Sequence, residues 1–96
     1  MRNRLEELRA RRGEILRVAA RHKAVALAVF GSVARGEDNE ESDIDFLVDF
    51  ASGASLVDEF HLPEELQELL HTPVDVVSRG GLKPRDTHIR REALAL

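Results

Sequence analysis

From Asp43 to Phe50 the chain alternates. Asp43, Asp45, Leu47 and Asp49 take one side, and Ile44, Phe46, Val48 and Phe50 take the other. Successive side chains of a strand point to opposite faces, so the pattern predicts a strand over 42–50. Its apolar face should pack on helices and its acidic face should carry the chemistry. Asp43 and Asp45 then project side by side. Two carboxylates that close repel each other unless something positive sits between them. A divalent cation is the simplest such charge. Mg²⁺ suits the pair, because it takes oxygen ligands from one or two carboxylates and from a substrate's phosphates.

A second feature lies upstream. Ala24 to Phe30 (AVALAVF) is a continuous apolar run, which predicts a strand buried on both faces. It stops at Gly31-Ser32, and residues 32–36 read as one or two helical turns ended by Gly36. A Gly-Ser turn ahead of a helix offers free backbone N–H groups, a hydroxyl and no obstructing side chain, which is what a phosphate needs. Metal pair and phosphate cradle together point to a nucleoside triphosphate.

Seven Asp or Glu and no Lys or Arg lie between Glu37 and Asp49. Glu37, Asp38, Glu40 and Glu41 read as a solvated loop. Asp43 and Asp45 do not, since an unpaired carboxylate in a strand that wants burial is expensive. Asp75 repeats the anomaly in a third short strand, Val74 to Ser78 (VDVVS). Asp43, Asp45 and Asp75 are therefore read as one metal site. An EF-hand would need oxygen ligands at alternate positions and a Gly at the sixth, where this chain has Phe46, Leu47 and Val48. Gly31 to Gly36 fits the spacing of a P-loop, but Glu37-Asp38 stand where Lys-Ser/Thr is required. His22, His61, His71 and His88 show no metal-ligand spacing, and no Ser-His-Asp set can be assembled.

The flanking segments read as helices. Leu5, Leu8, Ile15, Leu16 and Ala19 mark an amphipathic helix over 3–21, with Gly13 as a bend or a late start. Arg4, Arg9, Arg11 and Arg12 are expected on its solvated face. Ser55 and Asp58 resemble a capping box opening a helix. Pro63 is expected to start a second helix, Pro63 to Leu70, rather than sit inside the first. Thr87 to Leu96 is read as a closing helix. The order is α-β-α-β-α-β-α, an α/β (α+β) fold with a small three-stranded sheet covered by helices, in one domain over residues 1–96.

The totals exclude several classes. The net charge is −4 without a basic block, which argues against duplex binding. Four Phe with no Trp or Tyr supply few stacking platforms for single strands. With no cysteine, disulfide scaffolds and thiolate metal sites are out. No apolar stretch suits a bilayer or a signal peptide, so the expectation is a soluble, cytoplasmic protein with neither membrane nor direct nucleic-acid partner. A chain this short buries a modest core, and a homo-oligomer or hetero-oligomer would fit it.

Gly31-Ser32, ten intervening residues, then Asp43-Ile44-Asp45 resembles the G-S-x10-D-x-D signature of the DNA polymerase β-like nucleotidyltransferase superfamily. Gly31 through Glu37, followed by Ser42-Asp43-Ile44-Asp45, looks specifically like its minimal nucleotidyltransferases. Val74-Asp75-Val76-Val77 is similar to the strand carrying their third acid. Leu82-Lys83-Pro84 through Ile89 and Glu92-Ala93 resembles their C-terminal helix.

The resemblance implies a mixed-sheet core and two-metal transfer of AMP from ATP. Asp43, Asp45 and Asp75 would hold two Mg²⁺ ions, with Gly31, Ser32, Arg35 and Ser42 toward the nucleotide. Lys83 and Arg85 are weaker candidates. Family members are commonly encoded beside a HEPN-domain RNase toxin. The nucleotidyltransferase is the antitoxin and in some pairs adds AMP to a toxin tyrosine. Two other functions stay open: an antitoxin that neutralises its partner by binding alone, and transfer to a small molecule.

Overall fold

The structure is a computed structural model and describes residues 3–96. Its elements are α1 (Arg4–Ala10), α2 (Arg12–Arg21), β1 (Ala24–Phe30), α3 (Gly31–Arg35), β2 (Ile44–Phe50), α4 (Leu56–Leu70) and β3 (Val74–Ser78). Two 3-10 turns, Arg79–Gly81 and Pro84–Asp86, then lead to α5 (Thr87–Glu92) and β4 (Leu94–Ala95). The strands form one mixed sheet in the order β3-β2-β1-β4. β1 runs antiparallel to both β2 and β4, and β2 runs parallel to β3. A parallel pair needs a long crossover, and α4 supplies it.

The alternation predicted for β2 is realised. Ile44, Phe46 and Val48 are wholly buried in the main core, beside Leu8, Ile15, Val18, Leu62 and Leu66 from the helices. Leu47 turns the other way, into a smaller cluster with Ala28 and Phe30, against which Val77, Leu82, Ile89 and Ala93 pack. Ser55 caps α4 through the expected reciprocal pair with Asp58.

Four expectations need correction. The sheet has four strands, because the closing helix stops at Glu92 and the chain turns extended, pairing Leu94 with Val29 and Ala95 with Ala28. That edge of β1 would otherwise be open. Pro63 lies inside a single helix instead of starting a new one. An interior proline costs ~3 kcal/mol, but Leu62 and Leu66 on either side of it are fully buried, and breaking the helix there would unseat both. β1 is not buried on both faces throughout: Val25 is 70% exposed, next to a register shift between Ala24 and Ala26. The N-terminal helix is divided at Arg11, so that Gly13 falls in the first turn of α2.

The arginines of this region also depart from the expected solvated face. Arg9 remains exposed. Arg4 donates to Thr72 Oγ1 at 3.2 Å, Arg11 to the Leu69 carbonyl at 3.0 Å, and Arg12 to the Leu96 carbonyl at 2.7 Å. They strap the helical layer to the ends of α4 and β4. Among the described residues, no helix is long and apolar enough to cross a membrane.

Candidate active site

The Gly-Ser turn and the acidic strand meet at one point. Gly31 has φ +72°, and a Cβ there would collide with Asp45 Oδ2. Only glycine satisfies both demands, since other residues are strained at positive φ and carry the offending carbon. The spacing between Gly31 and the acids therefore reflects contact in space.

Register assembles the acids. Asp45 pairs with Phe30 of β1 on one side and with Asp75 of β3 on the other. Asp43 lies just ahead of β2 and, two residues from Asp45, shares its face. The Asp45 carboxyl is pushed above the ordinary carboxylate range, first by burial, then by the charges of Asp75 and Asp43. Arg35 opposes the rise and Glu92 adds to it. Asp49, further along the same face, is satisfied differently: Arg79 Nε lies 3.1 Å from its Oδ1. Among the described residues, no Lys or Arg pairs in this way with Asp43 or Asp45 at the Gly31 end of this face.

The donor set is all oxygen and all anionic, which fits Mg²⁺. Among the described residues, no three His, Asp or Glu side chains close around one point as a finished metal cage. Mg²⁺ usually keeps positions for water and substrate phosphate and needs only one or two protein carboxylates.

α3 follows the turn. Its first N–H groups have no intrahelical acceptor, and Gly36 ends it in the left-handed conformation at φ 72°. The Ser32 carbonyl accepts from the Glu37 N–H at 2.9 Å, tightening the exit from α3. Ser42 Oγ accepts from the Asn39 N–H at 2.9 Å, so this hydroxyl shapes the loop before Asp43 while keeping its own proton to donate. Arg35 donates through Nε to Glu37 Oε2 at 3.2 Å and through Nη1 to Glu92 Oε2 at 2.9 Å. One grip comes from the adjoining loop and the other from the end of α5.

Glu92 is the residue that sequence reasoning missed. Its Oε1 accepts the Gly31 N–H at 2.9 Å while Oε2 holds Arg35. Burial pushes the Glu92 carboxyl up, but the Gly31 and Arg35 hydrogen bonds outweigh it and hold the group below the ordinary glutamate range. One signal was available. Glu92 ends a helix, where a negative charge opposes the macrodipole.

The other candidates lie elsewhere. His22 rests against Glu65 and Asp58 and meets His61 edge-on. Lys83 and Arg85 belong to the 3-10 turn before α5, which the Asp86 side chain closes onto the Lys83 N–H. On the helical side of β3, Leu56, Glu59, Phe60, Pro63, Val74 and Val76 line an open groove of about 380 Å³ that reaches Asp75. Of its lining residues, Leu56 and Phe60 are largely exposed.

A family model of the nucleotidyltransferase domain matches residues 13–95. A Methanocaldococcus jannaschii protein assigned as a protein adenylyltransferase is 41% identical over 71 residues, 74% of this chain and 76% of that protein. The protein adenylyltransferase MntA of Thermococcus cleftensis is 47% identical over 57 residues, 59% of this chain and 58% of that protein. A solved structure assigned as a minimal nucleotidyltransferase superimposes with a TM-score of 0.83 at 52% identity, covering 96% of this chain and 95% of that one. A tri-AMPylated Shewanella oneidensis HEPN toxin in complex with MNT antitoxin supplies a likeness of fold. Its TM-score is 0.67 at 18% identity, over 91% of this chain and 69% of that one.

Proposed function

The chain belongs to the nucleotidyltransferase domain family, and from that premise we propose that it transfers AMP from ATP, with Mg²⁺, to a hydroxyl of a protein partner. The relatives named protein adenylyltransferase and the fold shared with an antitoxin bound to an AMPylated HEPN toxin support such a toxin as partner; a tyrosine as acceptor is what the resemblance to the minimal nucleotidyltransferases implies. The chain itself has no tyrosine, so that acceptor lies on the partner. The observation that carries the reading is the contact of Asp45 with Gly31 while Asp45 stands in register with Asp75. Together they set carboxylates against the Gly31 turn, which supports reading the acids as a metal site beside a phosphate-binding turn.

The residues divide the work. Ser32, with the N–H groups of α3 beyond Gly31, whose own N–H Glu92 takes, holds the outer phosphates, and Arg35 and the Ser42 hydroxyl add donors. Asp43, Asp45 and Asp75 would hold Mg²⁺, which would offset phosphate charge and lower the pKa of the acceptor hydroxyl. The acceptor oxygen bonds to the α-phosphorus as the bond to pyrophosphate breaks. Asp75 is exposed on the edge strand, which supports it as the carboxylate that takes the hydroxyl proton. The apolar groove beside Asp75, with Phe60 70% exposed at its rim, favours a protein acceptor over a small polar one.

The test is the intact mass of the adjacent-gene protein after incubation with this chain, ATP and Mg²⁺. A gain of AMP units on that protein, lost with Asp43→Asn, supports transfer. No gain while a stable complex forms would replace transfer by neutralisation through binding alone.

A further inference from the structure

Glu92 stands 61 residues from Gly31 in the chain yet takes its N–H, and with its second oxygen it takes Arg35 Nη1. A carboxylate so near Asp45 is repelled by it, and at the end of a helix it also opposes the dipole. Both costs are accepted because the surroundings hold it there. Ile89 and Ala93 pack α5 onto the small cluster. Two residues beyond Glu92, β4 pairs with β1, and the Leu96 N–H donates to the Leu27 carbonyl at 3.0 Å. Glu37 holds Arg35 Nε from the other side. Guanidinium has a fixed planar fork of donors, so two grips set its plane and, among the described residues, leave Nη2 uncommitted.

We propose that Glu92 is a positioning residue for the nucleotide site: it fixes the Gly31 turn and orients Arg35 so that the remaining guanidinium donors meet the triphosphate. The short strand β4 then serves the reaction, by anchoring the segment that delivers Glu92. This inference rests on the function proposed above.

The test compares wild type, Glu92→Ala, Glu92→Gln and Arg35→Ala with the Glu92→Ala/Arg35→Ala double variant. Binding of ATP with Mg²⁺ is measured by calorimetry, and melting checks that each variant folds. Loss of a hydrogen bond to a charged group predicts about a tenfold weaker ATP affinity for Glu92→Ala. Glu92→Gln, which keeps an oxygen for the Gly31 N–H, should fall between it and wild type. Because Glu92 acts partly through Arg35, the double variant should lose less than the two single losses combined. Unchanged or tighter ATP binding by Glu92→Ala would overturn the inference; tighter binding would make Glu92 a competitor for the phosphate donors. A second readout needs no nucleotide: Gly31 amide exchange by NMR should be slower in wild type than in Glu92→Ala. Equal exchange would overturn the inference whatever ATP does, whereas failure of wild type to bind ATP, with slowed exchange intact, would count against the functional reading alone.

Discussion

On the helical face of the sheet, Ile44, Phe46 and Val48 are wholly buried among side chains from α1, α2 and α4. On the opposite face the same strand presents Asp45, Leu47 and Asp49, and only Leu47 is buried. One face removes apolar surface from water in a closed layer. The other shares its area between a small cluster and a row of carboxylates, of which Asp49 is paired with Arg79 while Asp45 is repelled by Asp75 and Asp43. Stability is concentrated on one side of β2, and the other side can carry repulsion because the first supports it.

The comparison can be broken most directly at neighbouring positions of β2. Phe46→Ala should cost about 4 kcal/mol, within the usual range for a buried aromatic. Leu47→Ala should cost about 2 kcal/mol, at the low end for leucine, because its cluster is small and bordered by half-buried residues that can close in. Urea unfolding of both variants gives the two values; equal losses would show that the faces share the load. Gly31→Ala tests the joint between turn and strand. The positive φ alone costs about 1–2 kcal/mol, and the new carbon forces Asp45 aside. Reduced stability together with loss of transfer is expected, and a variant with native stability would contradict the contact.

Pro63→Ala probes how much irregularity the helical face tolerates. Restoring the helix hydrogen bond should stabilise by about 1 kcal/mol, the gain being reduced by the looser unfolded chain. A loss would mean that α4 is shaped around the proline. The smallest effect has the opposite character, since it removes a functional group. Folding raises the Asp45 pKa, so the fold favours its protonated form. That contribution is fully present below the unfolded value and is lost as pH rises through the folded one. At pH 7 Asp45 is therefore a net cost. Discounted for solvent screening, Asp45→Asn should add roughly 0.5 kcal/mol, about 2–4 °C in Tm, without divalent cation. The gain should vanish below the ordinary Asp value of 3.8, while transfer falls at least about a hundredfold at neutral pH. Melting curves at the two pH values and a transfer assay check both halves.

The alternation of 43–50, the Gly31 and Gly36 turns, the Ser55 cap and the apolar run into Gly31 are set by physics acting within a few residues: pleat, positive φ, side-chain caps. All were legible in the chain. Reading Asp43, Asp45 and Asp75 as one site rests on the same kind of local argument, since acids in apolar strands are costly wherever the strands lie; the register sets Asp45 beside Asp75 without closing a three-carboxylate cage among the described residues. What only the tertiary structure decided joins residues far apart in the chain. Arg12 reaches Leu96, Glu92 reaches Gly31, Pro63 stays helical because two leucines are buried around it, and Leu94–Ala95 is a strand because β1 has an open edge. Segments of two to six residues carry too little local preference to choose a conformation. Their partners choose it, and those partners are visible only once the chain is folded.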